Sequence, residues 1–216
     1  MKKTKKKKYI MYHVYRVVLG ILFKLYYNPK IVNKEVIPKD GPILIAGNHK
    51  HVYDQCLTII ATKRTIRYMA KKEYFDNKKL AWFFKSAGCI PVDRSKKDNK
   101  SVSSALDFLK DGGAIGLFPE GTRNKTKEFL LPFKFGTVSM AAKTNATIIP
   151  FGLTGDYKFR SKNLKVRYGK PFKIGNMTLE EANNKLYKEV ERLMKENLKE
   201  ENNWNGYLKV IKLYCI

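Results

Sequence analysis

Cysteine is scarce. Cys56, Cys89 and Cys215 lie far apart, with no Cys-x-x-Cys pair and no nearby pair of histidines. That excludes a disulfide framework and a zinc site of the usual ligand spacing, and a reducing, cytosolic environment is the simplest reading. No Gly-x-Ser-x-Gly elbow is present, so the serine nucleophile of the α/β-hydrolases is missing. Acidic residues are also few: 19, against 44 Lys and Arg, leave a formal charge of +25. Such an excess implies an anionic partner: nucleic acid, an anionic membrane surface or a phosphorylated substrate. Only 8 of the 44 are Arg and 36 are Lys, and Asn and Ile are abundant too. An A+T-rich coding sequence would produce the same bias, so lysines are read functionally only where they cluster.

What is present argues for a folded enzyme-sized unit. The hydrophobic fraction of 44% and the aromatic fraction of 12% exclude global disorder. A chain of 216 residues has room for one large domain, or a domain plus a short anchor.

The N-terminus begins with Lys2, Lys3 and Lys5 to Lys8 and turns apolar from Tyr9 to Tyr27. No small-residue cleavage site follows, which argues against a secretory signal. A spanning helix needs ~20 nearly uncharged residues. Arg16 sits near the middle of this stretch, at an insertion cost of about 2.5–3.5 kcal/mol. His13, Arg16, Gly20, Lys24 and Tyr27 share one helical face, and Ile10, Val14, Val17, Val18, Ile21, Leu22 and Leu25 occupy the rest. A broadly apolar helix with a narrow polar stripe behind a lysine run suits the boundary of an anionic leaflet. The competing arrangement packs the apolar side on the domain.

After Asn28-Pro29 strands and helices alternate. Strands are expected at 42–47, 66–70, 89–92, 114–118, 147–153 and 164–169. Helices are expected at 52–61, 73–86, 98–111, 136–144 and from the Thr178-Leu179-Glu180-Glu181 capping box to about Glu200. The helix at 73–86 has an apolar face of Phe75, Leu80, Phe83 and Phe84. The alternation predicts an α/β fold with helices on both faces of a largely parallel sheet. Trp204–Ile216 is either a packed final element or a second interfacial contact.

Four stretches carry chemistry. The strand at 43–45 runs into Asn48-His49-Lys50-His51-Val52-Tyr53-Asp54, where His49 in the turn and Asp54 in the first helical turn can meet. Histidine suits general-base work near neutral pH when a carboxylate holds its second nitrogen; His51 is a rival in the same loop. Gly88-Cys89-Ile90-Pro91-Val92-Asp93-Arg94 puts an Arg at the C-terminal end of a strand, where α/β sheets bind ligands. Phe118-Pro119-Glu120-Gly121-Thr122-Arg123 follows another strand. There Gly121 permits close backbone approach, Arg123 offers a fork matched to phosphate, and Glu120 can orient Arg123 or hold a substrate hydroxyl. Lys134 precedes a helix N-terminus. Ile148-Ile149-Pro150-Phe151-Gly152 is a strand that can line a pocket.

In order and spacing these stretches resemble the signature blocks of the glycerolipid acyltransferase family, whose bacterial members convert lysophosphatidic acid to phosphatidic acid. The resemblance covers roughly Val32 to Gly169, and Asn124 stands where members often carry Ser. It implies a single-domain α/β fold of that family's type. It implies His49 as general base toward the sn-2 hydroxyl of the acceptor and Asp54 as holder of its imidazole. Arg94, Glu120, Gly121, Thr122, Arg123 and Lys134 would grip the glycerol phosphate. The implied partners are a lysophospholipid acceptor, an acyl donor (acyl-carrier protein, coenzyme A or acyl phosphate) and an anionic membrane surface. No metal and no organic cofactor is implied. Glycerol 3-phosphate or another lysophospholipid remains open as acceptor. A nucleic-acid binder would account for the charge but not for the ordered motifs, and its aromatics would interleave with the basic residues. The expected organisation is residues 1–27 as a polybasic run and membrane-surface helix, and 28–216 as catalytic domain. The enzyme would be peripheral or monotopic on the cytoplasmic face of the cell membrane.

Overall fold

A computed structural model describes residues 9–93 and 98–214, with side chains through residue 201. The lysines at 2–8, Arg94 and the side chains of Trp204–Ile216 therefore lie outside the described residues. Seven strands, β1 (Lys30–Val32), β2 (Ile43–Gly47), β3 (Ile66–Lys71), β4 (Ile90–Val92), β5 (Ala114–Leu117), β6 (Thr147–Thr154) and β7 (Lys165–Tyr168), form one sheet in the order β1-β7-β6-β2-β5-β3-β4. Every pairing is parallel except β6 with β7. The interleaved helices are α1 (Ile10–Tyr26), α2 (Asp54–Ala61), α3 (Lys78–Ser86), α4 (Asn99–Lys110), α5 (Gly136–Thr144) and α6 (Leu179–Tyr214).

Period-two alternation on the central strands feeds two cores. Leu44, Ala46, Ile115 and Ile148 meet α4, α5 and α6 on one face through Leu109, Val138, Leu186 and Val190. Ile43, Ile45, Ala114, Ile149 and Phe151 meet α1 and α2 on the other through Phe23, Cys56 and Leu57. Both faces are covered, as a parallel sheet requires.

Local chemistry sets several boundaries. Asp98 caps α4 by accepting from the Ser101 N–H at 3.0 Å. The Thr178 and Glu181 capping box forms reciprocally, at 3.2 and 2.7 Å. The helix it opens runs past Glu200 to Tyr214. The segment expected as one helix over 73–86 is instead a 3-10 turn at Lys72–Phe75 followed by α3. Asn77 restarts it, its Oδ1 accepting from the Lys79 and Leu80 N–H groups. Of the apolar face expected there, Leu80 and Phe83 are exposed, and Ala81 is the one buried residue of α3.

Helix α1 contacts the domain by a narrow stripe. Tyr12 and Phe23 are buried, and the Tyr12 hydroxyl accepts from the Ile66 N–H at 2.9 Å. Gly20 rests on Ile60, and Tyr27 lies 5.5 Å from the ring of Tyr157. Ile10, Val14, Val17, Val18, Ile21, Leu22 and Leu25 face outward and are exposed. The arrangement with the apolar side packed on the domain is thus not the one adopted. Among the described residues no helix is long and apolar enough to cross a membrane.

The long helix α6 is tied to the sheet by polar groups that periodicity does not reveal. Lys165 and Arg167 are buried on β7. Lys165 Nζ pairs with Glu200 at 2.8 Å, and Arg167 Nε donates to Asn197 Oδ1 at 3.0 Å. Asn197 Nδ2 in turn donates to the Gly152 carbonyl at 3.1 Å. Buried cations persist only when paired in this way. At Gly152 a Cβ would stand 2.7 Å from the Met194 backbone nitrogen and 2.8 Å from Leu193 Cβ. Gly152→Ala should therefore push α6 from β6 and cost about 2 kcal/mol, lowering Tm by about 4–8 °C in a thermal circular-dichroism melt. Gly136→Ala, where nothing lies within 4 Å of the added carbon, should leave Tm unchanged or raise it.

Candidate active site

The site forms where β2, β5 and β6 end together at the C-terminal edge of the sheet. Beyond Gly47 the β2–β6 ladder is continued by a side chain. Asn48, itself buried, donates to the Leu153 carbonyl at 2.9 Å and accepts from the Leu153 N–H at 2.7 Å. That clamp fixes the turn from which His49 projects.

Asp54 opens α2 and is completely buried. Its Oδ2 accepts from His49 Nδ1 at 2.8 Å and from the backbone N–H groups of Lys50 and His51, each at 2.7 Å. Its Oδ1 accepts from the Tyr157 hydroxyl at 2.7 Å. A buried carboxylate needs such compensation, and three of the four donors come from the loop it organises. Because Asp54 can only accept, the His49 proton sits on Nδ1 and the lone pair on Nε2. The imidazole stacks on Phe118 with centroids 3.9 Å apart, so its plane is fixed as well as its tautomer. Its side chain remains 17% exposed, open to an adjoining cleft. His51 instead stacks on Tyr157 at 4.3 Å and accepts from the Tyr53 N–H at 3.3 Å. Of the two rivals, His49 is the one held by a carboxylate.

The third block closes around the same loop. Glu120 is buried and turned inward, its carboxylate accepting from the His49 N–H at 2.6 Å and the Leu131 N–H at 3.1 Å. Burial pushes its carboxyl above the usual range, and the two N–H donors pull against that shift. The Asn124 N–H donates to the His49 carbonyl at 2.7 Å. Gly121 has φ +72, and an added Cβ would lie 3.0 Å from Lys134 Nζ, so this glycine makes room for the lysine. Thr122, Arg123 and Lys134 are exposed beside it. The structure thus gathers His49, Asp54, Glu120, Gly121 and Lys134 at one sheet edge; Arg94 lies outside the described residues.

A cleft of about 330 Å³ is bordered by His49, Glu120, Phe129, Leu153 and Thr154. The buried Thr154 hydroxyl has no protein hydrogen-bond partner among the described residues. A larger groove of about 700 Å³, between Glu128–Phe135 and α6, contains none of the expected site residues. Among the described residues no group of three His, Cys, Asp or Glu is placed to hold a metal ion.

Tyr157, Phe118, Asn48 and Asn124 escaped the sequence reading as contributors. The signal for Tyr157 was indirect: a buried Asp54 has two oxygens, and His49 with the loop N–H groups occupies only one. Burial and the Asp54 charge both keep the Tyr157 phenol protonated, so its hydroxyl donates. Tyr157→Phe leaves Oδ1 without that donor. It should cost about 1.5–3 kcal/mol, the range for a hydrogen bond to a charged group, read in urea or thermal unfolding. In an Asp54→Asn background the same change should cost less, about 0.5–1.5 kcal/mol, because the amide would meet Tyr157 as a neutral pair. Equal costs in the two backgrounds would mean that the hydroxyl is not held by the charge.

Comparison with known proteins matches residues 28–154 to the Acyltransferase family model. A 1-acyl-sn-glycerol-3-phosphate acyltransferase of Bacillus subtilis (strain 168) is 32% identical over 166 residues, covering 74% of this chain and 82% of that protein. The Streptococcus pneumoniae enzyme of the same name is 24% identical over 193 residues, covering 83% and 71%. The crystal structure of the 1-acyl-sn-glycerophosphate (LPA) acyltransferase PlsC from Thermotoga maritima superposes with a TM-score of 0.70 at 20% identity. It covers 89% of this chain and 83% of that one, a likeness of fold.

Proposed function

The chain belongs to the acyltransferase family, and from that premise we propose that it moves a fatty acyl group to the sn-2 hydroxyl of lysophosphatidic acid, giving phosphatidic acid. The observation that carries this reading is the 2.8 Å contact of His49 Nδ1 with a fully buried Asp54, which leaves Nε2 basic. Nε2 removes the acceptor's hydroxyl proton as the oxygen attacks the acyl carbonyl carbon. Asp54 stabilises the imidazolium that forms. The tetrahedral oxyanion then collapses, expelling the thiolate of acyl-carrier protein or coenzyme A, or the phosphate of an acyl phosphate, which can take back the proton. His49 acts as a base and forms no covalent intermediate.

Arg94, Thr122, Arg123 and Lys134 form the phosphate grip in this reading, with Gly121 allowing close approach. Glu120 contributes by fixing the His49 and Leu131 backbone, since both its oxygens are engaged there.

The acceptor and product of this reaction are amphiphiles, and the exposed apolar face of α1 supports a peripheral or monotopic enzyme on the cytoplasmic leaflet. Residues 1–27 then act as the membrane segment, with the lysines at 2–8 drawn to anionic lipid, and 28–216 as the catalytic domain.

The test is purified protein with lysophosphatidic acid and each donor class in turn, the product identified by mass. Phosphatidic acid is the expected product. A preference for glycerol 3-phosphate would move the acceptor assignment. His49→Ala should lose about 10²–10⁴-fold in turnover while keeping its fold, whereas His51→Ala should keep most of it. An inactive His51→Ala beside an active His49→Ala would overturn the assignment of the base.

A further inference from the structure

Helix α3 is nearly unpartnered. Only Ala81 is buried in it, while Leu80 is 45%, Trp82 60% and Phe83 43% exposed. Tyr74, 43% exposed in the preceding turn, stacks on Phe84 at 5.0 Å, which pins the turn to the helix. Contiguous exposed aromatic and aliphatic side chains of this size mark an interaction surface. Around them stand Lys71, Lys72, Lys78, Lys79 and Lys85, all exposed, against three acids: Glu73, Asp76 and Asp93, the last 4.0 Å from Lys72 Nζ. Trp and Tyr mixed with Lys is the composition of a membrane–water boundary.

The patch also adjoins α1. The Tyr15 ring packs 5.1 Å from that of Phe83, and the Tyr15 and Ser86 hydroxyls meet at 2.9 Å. The outward apolar face of α1 therefore passes into the exposed face of α3 without an intervening element.

We propose that α3 is a second membrane-contact element, placing Leu80, Trp82 and Phe83 into the boundary of an anionic leaflet beside α1. This rests on the reading of the protein as a membrane-surface enzyme and assigns it a further point of contact. A second copy of the chain is the poorer occupant. Across a two-fold axis the five lysines would face their own kind, whereas each gains about fivefold in partitioning at an anionic surface. Two helices anchored side by side also fix the rotation of the domain on the bilayer, which one helix leaves free.

The experiment uses the full chain. It holds two tryptophans, so Trp204→Phe leaves Trp82 as the only tryptophan, excited selectively at the red edge where tyrosine does not absorb. Vesicles of phosphatidylcholine with and without phosphatidylglycerol are added, some carrying bromine on the acyl chains. Flotation is followed in parallel. With anionic vesicles Trp82 emission should shift to the blue and be largely quenched by bromolipid, and neutral vesicles should give much less. Leu80→Ser combined with Phe83→Ser, both exposed positions, should weaken partitioning roughly tenfold or more with the circular-dichroism spectrum unchanged. Protein that floats with unshifted, unquenched Trp82 would overturn the role of α3 while leaving the membrane reading intact. Protein that does not float at all would overturn both. A blue shift that grows with protein concentration in the absence of vesicles would assign the patch to a second copy and overturn the proposal.

Discussion

The loop that carries His49 depends on one buried charge. Asp54 has no solvent exposure, so every lone pair it uses must be met from the protein. The donors are two loop N–H groups, the His49 ring and the Tyr157 hydroxyl. Satisfying the carboxylate and building the site are therefore the same event. The loop cannot relax without stranding the charge, and the charge cannot stay buried without drawing His49 into one tautomer. Its position at the start of α2 adds the favourable end of the helix dipole.

The same constraint links the site to the surface proposed to rest on the membrane. Tyr157 holds Asp54 with its hydroxyl, while its ring meets Tyr27 at the end of α1 and His51 in the loop. Tyr53 and Phe23 extend that aromatic cluster. The segment after β6 is tied down further where the Arg160 N–H donates to the Tyr26 carbonyl at 2.5 Å. The helix proposed to lie on a leaflet and the histidine proposed as base thus share a packed connection rather than a flexible tether. The apolar side chains of α1 and α3 fit this geometry, since Val17, Ile21 and Leu25 of α1 and Leu80, Trp82 and Phe83 of α3 are exposed.

Much of this was readable from the sequence because the relevant signals are local. The alternation of strand and helix predicted the parallel sheet, and the spacing of His49 and Asp54 placed both on one strand-to-helix turn. The capping box at Thr178 marked the start of α6. What escaped were partnerships formed across long sequence separations. Tyr157 reaches Asp54 from 103 residues away, and Asn48 reaches Leu153 from 105. Lys165 and Arg167 read as polar positions on a strand, yet they are buried, because Glu200 and Asn197 arrive from α6. Glu120 read as an acid that orients Arg123 or holds a substrate hydroxyl, and its carboxylate also accepts from the His49 and Leu131 N–H groups, donors on two loops that the sequence does not bring together. The helix break at Asn77 was legible as a cap but masked by a continuous apolar pattern over 73–86. β1 was missed because a three-residue strand leaves almost no periodicity.

The most direct measurement is the tautomer of His49, read by ¹H–¹⁵N correlation of histidine-labelled protein at a pH where the ring is neutral. The account predicts that the proton resides on Nδ1, with its resonance shifted downfield by the Asp54 hydrogen bond, and that Asp54→Asn reduces this shift. A neutral His49 carrying its proton on Nε2 would contradict it, because no base would then face the cleft.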